Sequence, residues 1–196
     1  MEPKKALRKR LIDARLAISE ELRAKMDKDI LNIFTGTSVY IESETILSYY
    51  SYNGEADTHE LIKRAIKDGK RVACPVSFLR EDIPTLDFYY ISSPDELKSG
   101  YKGIPEPETD VSEKVSDEDI ANALIIVPMV GFDSEGNRLG YGRGFYDRFF
   151  SSGKHGCLTA LAYTIQECES IPTDEYDIKP DIIITNDGIR MIRTDK

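Results

Sequence analysis

Residues 123–128 read ALIIVP, an unbroken apolar run closed by proline. A run this short is a strand covered on both faces, and such strands belong to parallel sheets sandwiched between helices. The rest of the chain agrees. TILSYYSY (45–52), Arg71–Val76, TLDFYYI (85–91), CLTALAY (157–163) and DIIIT (181–185) are rich in β-branched and aromatic residues and read as strands. Arg71–Val76 is expected to stop at or soon after Pro75.

Helical patterns alternate with these strands. Residues 3–17 place Leu7, Leu11, Ala14 and Ile18 at helical spacing behind Pro3. Ser19, followed by Glu20 and Glu21, starts a second helix running to about Phe34, with Leu22, Met26, Ile30 and Phe34 on one stripe. Asn53-Gly54 marks a turn, and Asp57 or Thr58 caps a helix that ends at Gly69. Residues 93–115 form a long surface excursion, and Ser116 with Asp119 caps a short helix. The expected fold class is α/β: a three-layer α/β/α arrangement with a mostly parallel, Rossmann-like sheet, forming one domain over residues 1–196.

After the apolar strand and a turn (GFDSEGN) comes NRLGYGRGFYDRFF, residues 137–150, leading into a helix near Gly144 or Phe145. Beyond the carboxyl ends of parallel strands is where α/β sheets bind ligands. Gly140, Gly142 and Gly144 would let backbone amides approach an anion, and Arg138 and Arg143 would add charge-assisted bonds. Asp147 would suit Mg²⁺ shared with a phosphate chain. The spacing is neither GxxxxGKS/T nor GxGxxG, so a tight loop with a salt-bridged helix start remains the other reading.

The stretch resembles the signature of the 5-formyltetrahydrofolate cyclo-ligase family, roughly FD-x-x-G-x-R-L-G-x-G-x-G-[YF]-YD. Phe132, Asp133, Gly136, Arg138, Leu139, Gly140, Gly142, Gly144, Phe145, Tyr146 and Asp147 all stand in place. KKALRKRL, SYYSYNGEADT, GIPEP and IPTDEYDIKPDIIIT extend the resemblance along nearly the whole chain. Met129 replaces a glycine, Phe145 a commoner tyrosine and Tyr176 a frequent histidine, so Phe145 lacks a hydroxyl.

The resemblance implies an ATP- and Mg²⁺-dependent ligase. ATP phosphorylates the formyl oxygen of 5-formyltetrahydrofolate, N10 attacks the activated carbon, and phosphate departs to leave 5,10-methenyltetrahydrofolate. By the same resemblance ATP lies along Lys4, Lys5, Ala6, Leu7 and Arg8 and along Arg138, Leu139, Gly140, Tyr141, Gly142, Arg143, Gly144, Phe145 and Tyr146. The folate, with or without a polyglutamate tail, meets Arg8, Tyr50, Glu55, Tyr141, Gly142, Arg143, Gly144 and Phe145. Arg143 is the implied catalytic residue, and Asp147 and Asp177 the implied metal ligands; only register with Pro172 and the final strand sets Asp177 apart from its neighbours Asp174 and Glu175. On pattern alone Lys4 and Arg8 read equally as a solvated basic face, Glu55 as turn polarity, Tyr50 as a core aromatic and Asp147 as a first-turn acid. Phosphoryl transfer is served by positioning and charge neutralisation, so no catalytic triad is required. A phosphosugar isomerase-like enzyme and a non-catalytic folate or nucleotide sensor are the competing readings.

A net charge of −9 argues against general nucleic-acid binding. Three cysteines without CxxC spacing form no disulfide framework, and His59 and His155 match no metal spacing. No signal peptide and no run near the ~20 residues of a spanning helix is visible. A soluble, cytoplasmic monomer is expected, with a small-molecule substrate and no membrane or nucleic-acid partner.

Overall fold

The computed structural model describes residues 2–151, 153 and 155–192. The chain opens with helices α1 (Lys4–Leu16), α2 (Glu20–Thr35) and α3 (Ser38–Glu42), then strand β1 (Thr45–Ser48) and helix α4 (His59–Lys67). A long hairpin of β2 (Arg71–Arg80) and β3 (Ile83–Ile91) follows, then the small hairpin β4 (Lys98–Ser99) and β5 (Pro105–Glu106) within the surface excursion. Next come α5 (Asp117–Asn122), β6 (Leu124–Val127), the two-residue strands β7 (Gly131–Phe132) and β8 (Arg138–Leu139), and α6 (Phe145–Ser151). The chain finishes with β9 (Cys157–Leu161), β10 (Ile182–Thr185) and β11 (Gly188–Met191). Among the described residues, no helix is long and apolar enough to cross a membrane.

Seven strands form one sheet in the order β11-β10-β9-β6-β1-β2-β3, with β6, the ALIIVP run, in the middle. Pairings among β2, β1, β6, β9 and β10 are parallel, and β3 and β11 close the two edges antiparallel. Alternate side chains of the buried strands feed opposite faces. Ile46, Leu124, Ile126, Ile182 and Ile184 pack beneath Met26, Ile30 and Phe34 of α2 and Leu61, Ile62 and Ala65 of α4. Leu47, Ile125, Val127, Ala160 and Ile183 pack on the other face with Phe150 of α6 and Phe88 of β3. Leu7 and Leu11 of α1 meet Val130, Leu139 and Ile171 in a third cluster beyond the sheet's carboxyl end.

Caps form where the residue types demand them: Ser19 accepts from the Leu22 amide and Ser116 from the Asp119 amide. At α4 the capping carboxylate is that of Asp57, which takes the His59 and Glu60 amides. Thr58 instead donates to the Tyr49 carbonyl and accepts from Ser51, tying down the loop after β1.

Several expectations are corrected. β1 ends at Ser48, because residues 49–58 turn into that loop. β2 runs through Pro75 to Arg80. Its register with β1 ends at Ala73, so past that point β2 has no ladder on that side and proline's missing donor costs nothing. Leu22 is exposed although it shares a stripe with Met26, Ile30 and Phe34. Helix α3 and strand β11 had no distinct sequence signal.

Helix α4 packs on one face of the sheet and α6 on the other. The strand order reverses between β1 and β6, so the loops after these two strands part there. This switch point is where open α/β sheets place a ligand.

Candidate active site

The loop after β6 folds back as the β7–β8 hairpin and then becomes the glycine segment 140–144. Gly142 and Gly144 have φ of +83° and +74°, a backbone region that side-chain-bearing residues avoid. Among the described residues the amides of Gly142, Arg143 and Gly144 have no hydrogen-bond partner. A run of free amides in a turn of this kind is an anion-binding concavity.

Helix α1 closes on this loop. Arg8 Nε donates to the Gly140 carbonyl at 2.7 Å. A Cβ on Gly142 would lie 2.9 Å from the Arg8 guanidinium carbon, so the bare glycine is what admits the cation. Lys4, one turn earlier, donates to Asp174 at 2.6 Å and to Asp177 at 2.7 Å. Desolvation pulls the Lys4 ammonium down, but these two carboxylates outweigh it and raise its pKa. Between α1, the glycine loop, α6 and residues 173–177 opens a cleft of about 1090 Å³, lined by Lys4, Arg8, Gly140, Gly142, Gly144, Asp147, Arg148 and Asp177.

Arg138 is buried and its donors face inward. It donates to the carbonyls of Pro128 (3.1 Å) and Ile178 (3.3 Å) and makes a short ion pair with Asp147. Asp147 Oδ1 therefore sits on Arg138 and near the Ile178 amide, whereas Oδ2 has no partner among the described residues. Asp177 Oδ2 takes both Lys4 and the Asp174 amide.

On the other flank of the loop lies a polar network centred on the buried Glu55. Glu55 is 9% exposed. Its Oε1 accepts from the Tyr141 hydroxyl at 2.7 Å and its Oε2 from the Tyr52 amide at 2.8 Å. Burial pushes the Glu55 carboxyl above its ordinary range, although those bonds and the Arg15 charge oppose the shift. Burial and the Glu55 charge push the Tyr141 hydroxyl well up in turn. Tyr50 stacks on His59, with ring centroids 3.9 Å apart. Phe145 meets Tyr101 edge-on.

The structure thus draws together Lys4, Arg8, Arg138, Gly140, Gly142, Gly144, Asp147 and Asp177 on the cleft, and Glu55 and Tyr141 behind it. Arg143 stands exposed at the loop apex, with no ion pair among the described residues. The side chains of Leu7 and Leu139 are buried in the third core cluster, and Lys5 and Ala6 face solvent. The Tyr146 hydroxyl is buried without a partner among the described residues. Arg15 escaped the sequence reading. It occupies the position after Leu7 and Leu11 at the same four-residue spacing, and a cation continuing an apolar stripe was the available signal. Arg148, also on the cleft, carried none, whereas Asp174 was visible in the sequence as an acid beside Asp177.

The donor set fits a phosphate chain and a shared Mg²⁺. Mg²⁺ takes one or two carboxylates and completes its octahedron with phosphate oxygens and water. Asp147 and Asp177 each line the cleft with a carboxylate, as the glycine loop does with its free amides. No group of three or more His, Cys, Asp or Glu among the described residues forms an all-protein cage.

Known proteins agree with this geometry. The family model described as the 5-formyltetrahydrofolate cyclo-ligase family matches residues 1–186. The 5-formyltetrahydrofolate cyclo-ligase of Escherichia coli K12 is 30% identical over 175 residues, covering 87% of this chain and 93% of the relative. That of Saccharomyces cerevisiae is 30% identical, covering 96% and 97%. The NMR structure of Aquifex aeolicus 5,10-methenyltetrahydrofolate synthetase superimposes with a TM-score of 0.83 at 32% identity, covering 98% of this chain and 94% of that one. With the glycine signature seated at the sheet's switch point and the match running almost from end to end, the chain belongs to the 5-formyltetrahydrofolate cyclo-ligase family.

Proposed function

We propose that this chain, acting as one domain, catalyses the ATP-dependent cyclisation of 5-formyltetrahydrofolate to 5,10-methenyltetrahydrofolate, with release of ADP and phosphate. The observation that carries the reading is the seat of Arg8. It is bonded to the Gly140 carbonyl and packed on Gly142, so a cation from the first helix forms one wall of the cleft whose other wall is the glycine loop. A solvated basic face would leave Arg8 pointing away from both.

The roles follow from the chemistry of each group. ATP with Mg²⁺ supplies the phosphoryl group that converts the formyl oxygen into a leaving group. Free amides at Gly142–Gly144, with Arg8 and Lys4, neutralise phosphate oxygens. Asp147 and Asp177 would hold the metal, and Arg143 would stabilise the charge that develops in phosphoryl transfer. Lys4, paired here with Asp174 and Asp177, would face a phosphate oxygen in the cleft, which would free Asp177 as a metal ligand. On the far flank Glu55 accepts N–H donors of the pterin, and Tyr50 offers an aromatic face.

The test is direct. The purified protein is mixed with 5-formyltetrahydrofolate, ATP and Mg²⁺, and the near-ultraviolet absorbance of the methenyl product is followed, with omission of each component as control. Turnover requiring all three supports the reading, and folded protein that yields no methenyl product refutes it.

A further inference from the structure

Arg15 is fully buried, at 0% exposed, and none of the roles above uses it. Its Nε has no partner among the described residues. An orphaned donor on a buried cation costs stability, and an apolar side chain would leave none. The other donors are used in a particular way. Nη1 reaches the Met129 carbonyl at 3.4 Å, in the loop after β6. Nη2 donates to the Asn53 carbonyl at 2.9 Å, in the loop after β1, and to the Tyr141 hydroxyl at 2.8 Å, in the glycine segment. One guanidinium therefore ties together the two loops that part at the switch point and the segment that forms the cleft.

Its chemistry also sets a direction. A guanidinium only donates. The Tyr141 oxygen must accept from it, so the single hydroxyl proton is left for Glu55 Oε1. Glu55 is thereby addressed as an acceptor at one oxygen by Tyr141 and at the other by the Tyr52 amide. A carboxylate has about four lone-pair sites, so further ones remain for a ligand's N–H groups. We infer that Arg15 is a positioning residue for substrate recognition: through the Tyr141 hydroxyl it orients Glu55 as an acceptor for the N–H donors of the pterin, and it locks the two loops between which that substrate binds. The inference rests on the proposed folate reading of Glu55.

Other titratable groups surround Glu55 without donating to its carboxylate. Tyr49 donates to the Ala56 carbonyl. Tyr163 donates to Asp27 and to the Glu55 carbonyl. Arg23 is held by the carbonyls of Arg15 and Ile18, and Asp57 caps α4. Tyr146 approaches from α6 with its hydroxyl unpartnered among the described residues. Arg15 is the cation that acts on Glu55 through a hydrogen-bonded chain.

The experiment is calorimetric titration of the full chain with 5-formyltetrahydrofolate between pH 5 and 8. Wild type is compared with Arg15→Met, Tyr141→Phe, Glu55→Gln and the Arg15→Met/Glu55→Gln double variant, with thermal unfolding of each as the check on folding. Arg15→Met and Tyr141→Phe are each expected to weaken binding about tenfold at pH 7, the scale of a hydrogen bond to a charged group. Each is expected to move the acid limb of binding to higher pH. In the Glu55→Gln background the Arg15→Met loss should disappear, because no carboxylate remains to orient. An unmoved acid limb, or an undiminished loss in that background, would assign Arg15 a merely structural role and overturn the inference. If Arg15→Met does not fold, Tyr141→Phe combined with Glu55→Gln completes the same cycle, and the same two results would overturn the inference. Wild type that binds no 5-formyltetrahydrofolate overturns the parent reading, a result separable from failure of the Arg15 variant alone.

Discussion

The two flanks of the glycine loop carry carboxylates in opposite circumstances. On the open flank, Asp174 and Asp177 meet Lys4 where water reaches all three, and Asp174 is 69% exposed. On the closed flank, Glu55 is buried between two loops and senses Arg15 through a tyrosine hydroxyl. Exposed pairs are loosely held and exchange partners at little cost, which suits a site that must admit and release a phosphate chain. Buried polar networks are rigid and shift pKa values, which suits recognition of fixed donors. Asp147 lies between the extremes, open to the cleft yet paired with a buried arginine.

The comparison breaks first on catalysis. Arg143→Ala should lower kcat by about 100-fold or more, the scale of losing one charge-stabilising donor in the transition state. Its unfolding midpoint should not move, since the side chain is exposed and makes no ion pair among the described residues. Steady-state methenyl formation measures the effect, and full activity would remove Arg143 from the mechanism.

Asp147→Ala should lose turnover as well and also cost about 3 kcal/mol of stability, because Arg138 would be left buried without its counter-ion. Asp174→Ala should cost less than about 1 kcal/mol. Urea denaturation of the two variants side by side decides this, and equal losses would erase the distinction between the flanks.

Glu55 tests the sign of burial. Its folded pKa lies above its ordinary value of 4.5, chiefly through desolvation. Folding therefore favours the protonated form, and stability from this group is complete below about pH 4.5 and is lost as pH rises through the folded value. Glu55→Gln should be more stable than wild type at pH 7, by about 1.4 kcal/mol for every pH unit by which folding raises the carboxyl's pKa. The advantage should vanish in acid, and thermal melts from pH 4 to 8 read it.

The smallest effect belongs to Lys4. Its raised pKa stabilises the fold below about 10.5, and that contribution is lost only as pH climbs past the folded value. Lys4→Met should cost less than about 1 kcal/mol, and the difference should stay flat from pH 6 to 9. A Lys4 effect that varied across that range would mean the open flank is more tightly coupled than its exposure indicates.

Much of this was legible before folding. The apolar run at Leu124–Val127 marked the centre of the sheet, Ser19 and Ser116 marked helix starts, and Gly140, Gly142 and Gly144 marked the loop. Arg8 was legible as a cation but not as one wall of a cleft, since the Gly140 carbonyl it bonds lies 132 residues away. Pro75 misled, because whether a strand tolerates proline depends on which side its neighbour leaves bare.

The sequence by itself determined what is written within a few residues: helix period, strand alternation, caps, turns and the glycine spacing, each satisfied by local hydrogen bonds and side-chain periodicity. Tertiary structure alone decided that Arg15 reaches the Asn53 carbonyl and the Tyr141 hydroxyl, that Lys4 finds Asp174 and Asp177 across 170 or more residues, and that Glu55 is pushed toward its protonated form. Charge pairing and desolvation are set by whichever distant segments exclude water from a group, and no local pattern encodes that exclusion.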